Sequence, residues 1–314
     1  MVSKFRKVLV VGSGNVGVLL TYALINSSTE LSVYVLVRNY QYLRLVREKG
    51  IKILTARGSS LRLEGPHFIS YDDLRNLDLF DLILVATKAY DSLKAINAVK
   101  DYLKSGGVLI TCQNGLRSYE EALKVLGPER TATIVLNQGI YRVSPQEFKW
   151  VGGSTSYLGS KGVLREKLLS IASLFEVFPI QVVDDIEPYR WLKLAVNAAI
   201  NPLTALHGVK NKFVVIDENL FRIATMVVSE AEKVAEKYGI EMPVDPLREV
   251  VRVAEATGEN YSSMLQDLMQ GKKTEIDYIN GEIVLRGRGV GVPTPVNEVL
   301  WLMIKHKESF GMSA

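Results

Sequence analysis

Val8-Leu-Val-Val-Gly12-Ser13-Gly14-Asn15-Val16-Gly17 is the stretch on which the reading of this chain turns. A short β-rich run, Lys7 to Val11, leads into glycines spaced G-x-G-x-x-G, and a helical pattern continues from Val16 to Asn26. In a strand–turn–helix of this kind Gly12 permits the tight turn, Gly14 lets the backbone approach a pyrophosphate, and Gly17 lets the helix pack close to the strand. The helix start offers unpaired N–H groups and a partial positive charge to phosphate. Residues 12–17 are therefore the expected dinucleotide cradle. The plain alternative is a glycine-rich turn without a ligand.

The alternation continues on the C-terminal side. Ser32–Val37 reads as a strand, Tyr40–Lys49 as a helix, and Ile51–Leu54 with Ser60–Leu63 as short strands of a hairpin or an excursion. Leu79–Ala86 is almost wholly apolar, as a strand buried on both faces requires. Ser92–Leu103 and Tyr119–Leu126 have helical spacing, and Val108–Cys112 and Ala132–Leu136 are strand-like. This order predicts an open, mostly parallel sheet with helices on both sides. Phe148–Leu158, with Gly152-Gly153 at its middle, predicts an antiparallel hairpin, followed by a helix over Val163–Phe175 and a strand near Gln181–Val183. After Asp184 the periodicity is helical almost throughout: about 186–206, 212–239, 245–256, 262–270, 274–287 and 295–309. The expected fold is an α/β N-terminal Rossmann-type domain over residues 1–184, followed by an all-α domain over 185–314.

Composition narrows the function. With 47% apolar residues in 314, the chain can bury a core and is not disordered. The 38 basic residues exceed the 34 acidic ones by four, a surplus spread along the chain, so nucleic acid is not the expected partner. Cys112 stands alone, and His67, His207 and His306 have no ligand spacing, so neither an internal disulfide nor a metal site is expected. The opening Met1-Val-Ser-Lys-Phe-Arg-Lys has no leader-like run, and no stretch of about 18 apolar residues exists to cross a membrane. A cytoplasmic protein is expected.

Three loops bear on the ligand. The second strand ends in Val35-Leu-Val-Arg38-Asn39, without the acid that would bind both ribose hydroxyls of NAD. Arg38 suits the 2′-phosphate of NADPH through forked, charge-assisted hydrogen bonds, though it can also stack on adenine, which keeps NADH open, or lie idle at the surface. Lys88, after the apolar strand, is a counter-charge for cofactor phosphate or a substrate anion, or simply flanks a helix. Asn114-Gly115 is a strong turn signal in its own right. Cys112 packs at a strand end as a small apolar residue.

The segment Pro188–Leu206 is a largely apolar helix, and so a buried one, yet Lys193, Asn197 and Asn201 recur at i, i+4 and i+8. At about 100° per residue they stand one above another over roughly 12 Å. A buried lysine is costly unless it is paired or used. A lysine and two carboxamides in line suit a 2-keto acid, the alternative being a solvated polar edge. Pro202 is expected to bend or end the helix just past Asn201.

Trp191-x-Lys193-Leu-Ala-Val-Asn197-x-x-Ile-Asn201-Pro-Leu-Thr-Ala resembles the active-site helix of the ketopantoate reductase (2-dehydropantoate 2-reductase) family. So do Ser262-Ser263-Met264-Leu265-Gln266-Asp267 and Thr274-Glu275-Ile-Asp-Tyr-Ile-Asn280-Gly281, and with the glycine loop and Gln113-Asn114-Gly115 the likeness spans essentially the whole chain. The resemblance implies Lys193 as general acid and substrate contact, and Asn197, Asn201 and Asn211 as substrate-binding asparagines. It implies Ser263, within Ser262–Leu265 (Ser262, Met264, Leu265), as the carboxylate-binding serine. Glu275 is implied beside the cofactor, orienting the site, and Lys88 and Asn114 are implied as cofactor contacts, with Asn114 also near substrate. A backbone contact to cofactor is implied near Gly139 or Ile140, where Asn137-Gln-Gly-Ile departs from the usual pattern; Lys212 follows Asn211 where glycine is common. The implied reaction is NADPH-dependent reduction of a small 2-keto acid, ketopantoate, to an (R)-2-hydroxy acid, by a homodimer, with NADH as a further donor.

Ser263-x-x-Gln266 also has the form of a capping box, so Ser263 is expected to start a helix, and Glu275 falls in the first turn of another. Two other functions fit parts of the pattern. β-Hydroxyacid dehydrogenases share the two-domain plan and a lysine with an asparagine four residues on, but the paired Ser-Ser-Met-Leu-Gln-Asp and Thr-Glu-Ile-Asp segments argue against them. A non-catalytic NADPH sensor would have no use for the Lys193–Asn197–Asn201 ladder.

Overall fold

The computed structural model describes residues 5–55 and 58–310; residues 1–4, part of the opening read above for a leader, lie outside the described residues. Two compact units result, Met1–Gln113 with Ser118–Ile186, and Asn114–Arg117 with Glu187–Ala314.

The first unit is built around β1 (Lys7–Val11), whose last four residues are at most 1% exposed. β2 (Ser32–Leu36), β5 (His67–Ile69), β6 (Phe80–Val85), β7 (Leu103–Thr111), β8 (Thr131–Val135), β11 (Ser156–Gly159) and β12 (Ile180–Val182) complete an eight-stranded sheet in the order β5-β2-β1-β6-β7-β8-β11-β12. The strands are parallel from β5 to β8, and β11 runs antiparallel to β8. Side chains alternate between two cores. Val8, Val10, Leu82, Leu84, Val108 and Ile110 face one, with the helices Asn15–Ile25 and Arg165–Ala172. Leu9, Val11, Ile83, Val85 and Leu109 face the other, with helices Ser92–Val99 and Arg117–Leu126. Burial on both faces is why these strands read as unbroken apolar runs.

The registers Val11↔Leu36 and Val11↔Val85 bring the carboxyl ends of β1, β2 and β6 level. β2 lies on one side of β1 and β6 on the other, so chain order reverses there, the position at which open α/β sheets hold ligands.

A second sheet, in the order β4-β3-β10-β9, combines the hairpin β3 (Lys52–Leu54) and β4 (Ser60–Arg62) with β9 (Gln138–Arg142) and β10 (Glu147–Gly153). This corrects the hairpin expected over Phe148–Leu158. β10 pairs antiparallel with β9, which sequence reading missed, and parallel with β3, whereas β11 belongs to the large sheet. Gly153 is a crossing point rather than a turn apex: an added Cβ would lie 2.1 Å from the Asn137 carbonyl oxygen. The helix expected over Ser92–Leu103 stops at Val99, and Leu103 already pairs with Phe80 as the start of β7.

The second unit is helical. Its long helix, Glu187–His207, packs against Glu218–Lys237, Pro246–Ala256, Ser263–Met269 and Pro295–Phe310 around a core that includes Leu194, Ala195, Ala198, Ala199, Val227 and Leu265. Two expected helices are divided. Asp217 caps a new start at Glu218, accepting from Asn219 N and Leu220 N at 3.0 and 2.9 Å, which splits 212–239. Ile279, at φ −114° and ψ −94°, splits 274–287 into the 3₁₀ turn Ile276–Tyr278 and the helix Asn280–Val290. Of the bend or end expected at Pro202, the end does not occur: the long helix runs on to His207. The Ala198 carbonyl, four residues back, loses its helical donor to proline, and the Asn280 Nδ2 amide donates to it at 3.1 Å instead.

Among the described residues no helix is long and apolar enough to cross a membrane, and no group of three or more His, Cys, Asp or Glu is arranged to hold a metal ion.

Candidate active site

In the first unit the glycine loop leaves the end of β1. Gly12 has φ +109°, a conformation L side chains rarely adopt, and its N–H bonds the Leu36 carbonyl at 3.1 Å. A Cβ at Gly17 would fall 1.9 Å from the Gly12 carbonyl oxygen, so the helix lies directly on the turn. A Cβ at Gly14 would meet nothing within 4 Å. The backbone is therefore bare at Gly14 and crowded at Gly12 and Gly17, the shape a pyrophosphate needs. The helix Asn15–Ile25 begins there with no acidic residue in its first turn and no side-chain cap, so its opening N–H groups suit an anion. Ser13, Asn15 and Val16 belong to the same turn. Arg142, on β9, was not singled out by sequence reading. Its guanidinium donates to the Ser13 carbonyl at 3.0 Å and lies over the rings of Tyr42 and Phe148. Only the pairing of β9 with β10 brings it there, and no local motif marks it.

Arg38 follows β2 and is exposed, with Nη1 3.0 Å from Asp91 Oδ2. Asp91 was missed as well, because its approach to Arg38 depends on β2 and β6 flanking β1. Lys88 and Cys112 lie just beyond the ends of β6 and β7, Lys88 half-buried and Cys112 buried. Ile140 is half-buried on β9 and packs on the core.

In the second unit the long helix carries Lys193 and Asn197, both half-buried, and Asn201, 6% exposed, along one side. Asn114 joins them because Asn114–Arg117 belongs to this unit. Gly115, at φ +83°, allows the turn: an added Cβ would lie 2.4 Å from the Tyr278 carbonyl. A directed chain of amides results. Asn197 Nδ2 donates to Asn114 Oδ1 at 3.4 Å, and Asn114 Nδ2 donates to Glu275 Oε2 at 3.1 Å. Glu275 is 6% exposed and caps the turn Ile276–Tyr278 rather than standing inside a helix as expected.

Ser262, not Ser263, is the N-cap of Ser263–Met269. Its hydroxyl accepts from Leu265 N at 3.2 Å and pairs with Thr204 Oγ1 at 2.7 Å. The cap thus falls one residue before the expected one, and with Leu265 at the third helical position no capping box forms; Ser263 is exposed while Met264 and Leu265 are buried. Asn211 is buried. Its Nδ2 donates to Thr257 Oγ1 at 2.9 Å, and its Oδ1 has no hydrogen-bond partner among the described residues.

A glycine-cradled parallel sheet and a helical unit with an aligned lysine, two asparagines and a buried glutamate define a dinucleotide-dependent oxidoreductase of the Rossmann type. The comparisons with known proteins specify the class further. The ketopantoate reductase PanE/ApbA model matches residues 8–162, and the model of the C-terminal part of ketopantoate reductase PanE/ApbA matches residues 185–308. The chain belongs to the ketopantoate reductase family. It is 33% identical over 306 residues to a 2-dehydropantoate 2-reductase of Pyrococcus abyssi, covering 96% of this chain and 98% of that one. Its fold is similar to a PanE/ApbA family ketopantoate reductase from Ralstonia eutropha JMP134, with TM-score 0.85, 25% identity, and coverage of 97% and 99% of the two chains. It is also similar in fold to a D-mandelate dehydrogenase solved with NADH and anilino(oxo)acetate, with TM-score 0.89, 23% identity, and coverage of 97% and 98%. The family consists of oxidoreductases that depend on a nicotinamide dinucleotide.

Proposed function

We propose that this chain reduces 2-dehydropantoate (ketopantoate) to (R)-pantoate, a step towards pantothenate and coenzyme A, with NADPH as preferred donor and NADH as a second. The observation that carries the reading is the Lys193–Asn197–Asn201 ladder on a helix buried along its other sides, joined through Asn114 to Glu275. When bound, the reduced nicotinamide supplies a hydride to C2 of the keto acid. The glycine loop at residues 12–17 holds the pyrophosphate on bare backbone at Gly14. Arg38 and Lys88 supply counter-charge to phosphate, and the backbone near Ile140 is a further cofactor contact.

Lys193 meets the negative charge that grows on the carbonyl oxygen and delivers the proton from Nζ; its role is that of general acid. Asn197 and Asn201 bind the substrate's oxygens, and Asn211 accepts from the substrate's hydroxyl through Oδ1, an acceptor with no partner among the described residues. Ser263 takes the carboxylate, with Ser262, Met264 and Leu265 shaping the segment around it. Glu275 accepts the Asn114 amide and so fixes which way that carboxamide points. The N-terminal domain carries cofactor, and the helical domain carries substrate and the contact of a homodimer, which light scattering reads directly.

Steady-state kinetics with ketopantoate and each nicotinamide test the reading. Loss of nicotinamide absorbance is expected with ketopantoate. Turnover confined to 3-hydroxy acids would favour the β-hydroxyacid dehydrogenase reading, and cofactor binding without turnover would favour a sensor.

A further inference from the structure

The Arg38–Asp91 pair stands at the carboxyl end of β1. Arg38 comes from the end of β2 and Asp91 from the 3₁₀ turn Ala89–Asp91 after β6, and these two strands flank β1. Nη1 of Arg38 donates to Oδ2 of Asp91 at 3.0 Å; the two side chains are 72% and 29% exposed. Exposed ion pairs of this kind contribute little to folding. Asp91 also forgoes a better use. It is the N-cap of the helix Ser92–Val99, where aspartate ordinarily accepts the helix's own N–H groups, yet its side chain makes no capping bond. The half-buried Tyr71 faces both charges.

Dinucleotide sites that hold an unphosphorylated ribose place an acid at the end of the second strand, where it accepts from the ribose hydroxyls. Here that strand runs out in Val37-Arg38-Asn39, with no acid. We infer that Asp91, reaching over from the loop after β6, fills that role and is a specificity-determining residue: it accepts from a ribose hydroxyl and competes with a 2′-phosphate for Arg38. A 2′-phosphate brings a charge of about −1.5 to −2 to the same guanidinium and meets the Asp91 carboxylate at close range. Like charges a few ångströms apart at a surface oppose binding by a factor on the order of ten. The chain therefore prefers 2′-phosphorylated cofactor far less than an unopposed Arg38 would make it. This inference rests on the dinucleotide reading of the glycine loop.

The test is calorimetric titration with ADP-ribose and 2′-phospho-ADP-ribose, which needs no turnover. For Asp91→Asn, the affinity for the 2′-phosphorylated ligand should rise about tenfold at low salt while that for ADP-ribose stays level or falls. The gain should shrink near 1 M salt, where the screening length is about 3 Å. Asp91→Ala should raise the same ratio, and Arg38→Ala should abolish the preference. An unchanged ratio in both Asp91 variants overturns the role of Asp91 alone. If neither ligand binds the parent protein, the dinucleotide site itself is refuted and the inference falls with it.

Discussion

Asn280 supplies to Ala198 the hydrogen bond that Pro202 withholds. The proline ring leaves the Ala198 carbonyl without its donor in the turn that carries Asn201, and the fully buried Asn280 side chain donates there at 3.1 Å while its second N–H goes to Asn297 Oδ1 at 3.0 Å. The helix therefore continues to His207, and Thr204 beyond the proline can reach the Ser262 hydroxyl. The ladder and the Ser262–Leu265 segment are tied together through this repair.

Asn280→Ala removes that donor and leaves a buried carbonyl bare, which costs about 1–3 kcal/mol. Pro202→Ala restores a backbone donor to Ala198, so the cost of Asn280→Ala should fall by about 1 kcal/mol in that background. Urea unfolding of the two single variants and the double variant measures the coupling. Strictly additive values would separate Asn280 from Pro202.

Gly14 and Gly17 should respond in opposite ways. Gly14→Ala has open space and an allowed backbone conformation, with φ −79° and ψ −171°. It should keep the parent's melting temperature and weaken dinucleotide binding about tenfold or more, roughly 1.4 kcal/mol per tenfold. Gly17→Ala drives a methyl group into the Gly12 carbonyl and should lower stability by about 1–3 kcal/mol or more. Melting curves and nucleotide titrations of both variants check the contrast. Equal melting temperatures would refute the close helix–turn packing.

Much of this was legible in the sequence. The glycine spacing and the doubly buried strands announce the sheet, and the i, i+4, i+8 spacing announces the ladder. What escaped depends on contacts distant in sequence. β9 and β10 belong to a second sheet because they pair with each other and with β3, and no periodicity within 148–158 distinguishes that from a hairpin. Arg38 was legible as a charge at a strand end, but Asp91 becomes its partner only once β1 separates β2 from β6. Pro202 reads as a helix stop until Asn280, 78 residues further on in the numbering, is brought alongside it. Ser262 and Ser263 both have a side chain that can cap, and the choice falls to Ser262, whose hydroxyl accepts from Thr204 Oγ1.

The clasp beside Asn211 predicts a pH dependence. Lys210 and Lys212 each bring an ammonium to 2.6 Å from the Glu259 carboxylate, and these hydrogen bonds, with the accompanying charge attraction, lower its pKa from 4.5 to about 2. A carboxyl lowered on folding favours the native state in full above its unfolded pKa and loses that contribution as pH falls through the folded one. The parent protein should therefore melt above Glu259→Gln at pH 6, with the gap closing between pH 4.5 and about 2. High salt should narrow the gap at pH 6, because the cluster is exposed. A gap that persists at pH 2 would contradict the clasp.

Asn114→Asp places a second carboxylate where an amide now donates to Glu275 at 3.1 Å. Two carboxylates so close cannot both ionise cheaply, so the pair should hold a proton at higher pH than either acid alone. Turnover should fall about tenfold or more at pH 8 and recover in part towards pH 6, where the pair regains its proton. A pH-independent loss in kcat/KM would indicate that the Asn114–Glu275 bond does not orient the site.

The central claim is that Lys193 donates the proton to the reduced carbonyl, and it is tested most directly by the single-turnover rate of nicotinamide oxidation with ketopantoate in Lys193→Ala, set beside the dissociation constant for the dinucleotide. The account predicts a rate lower by about 10²–10⁴-fold with cofactor affinity essentially unchanged. A rate within a few fold of the parent's, at equal cofactor affinity, would contradict it.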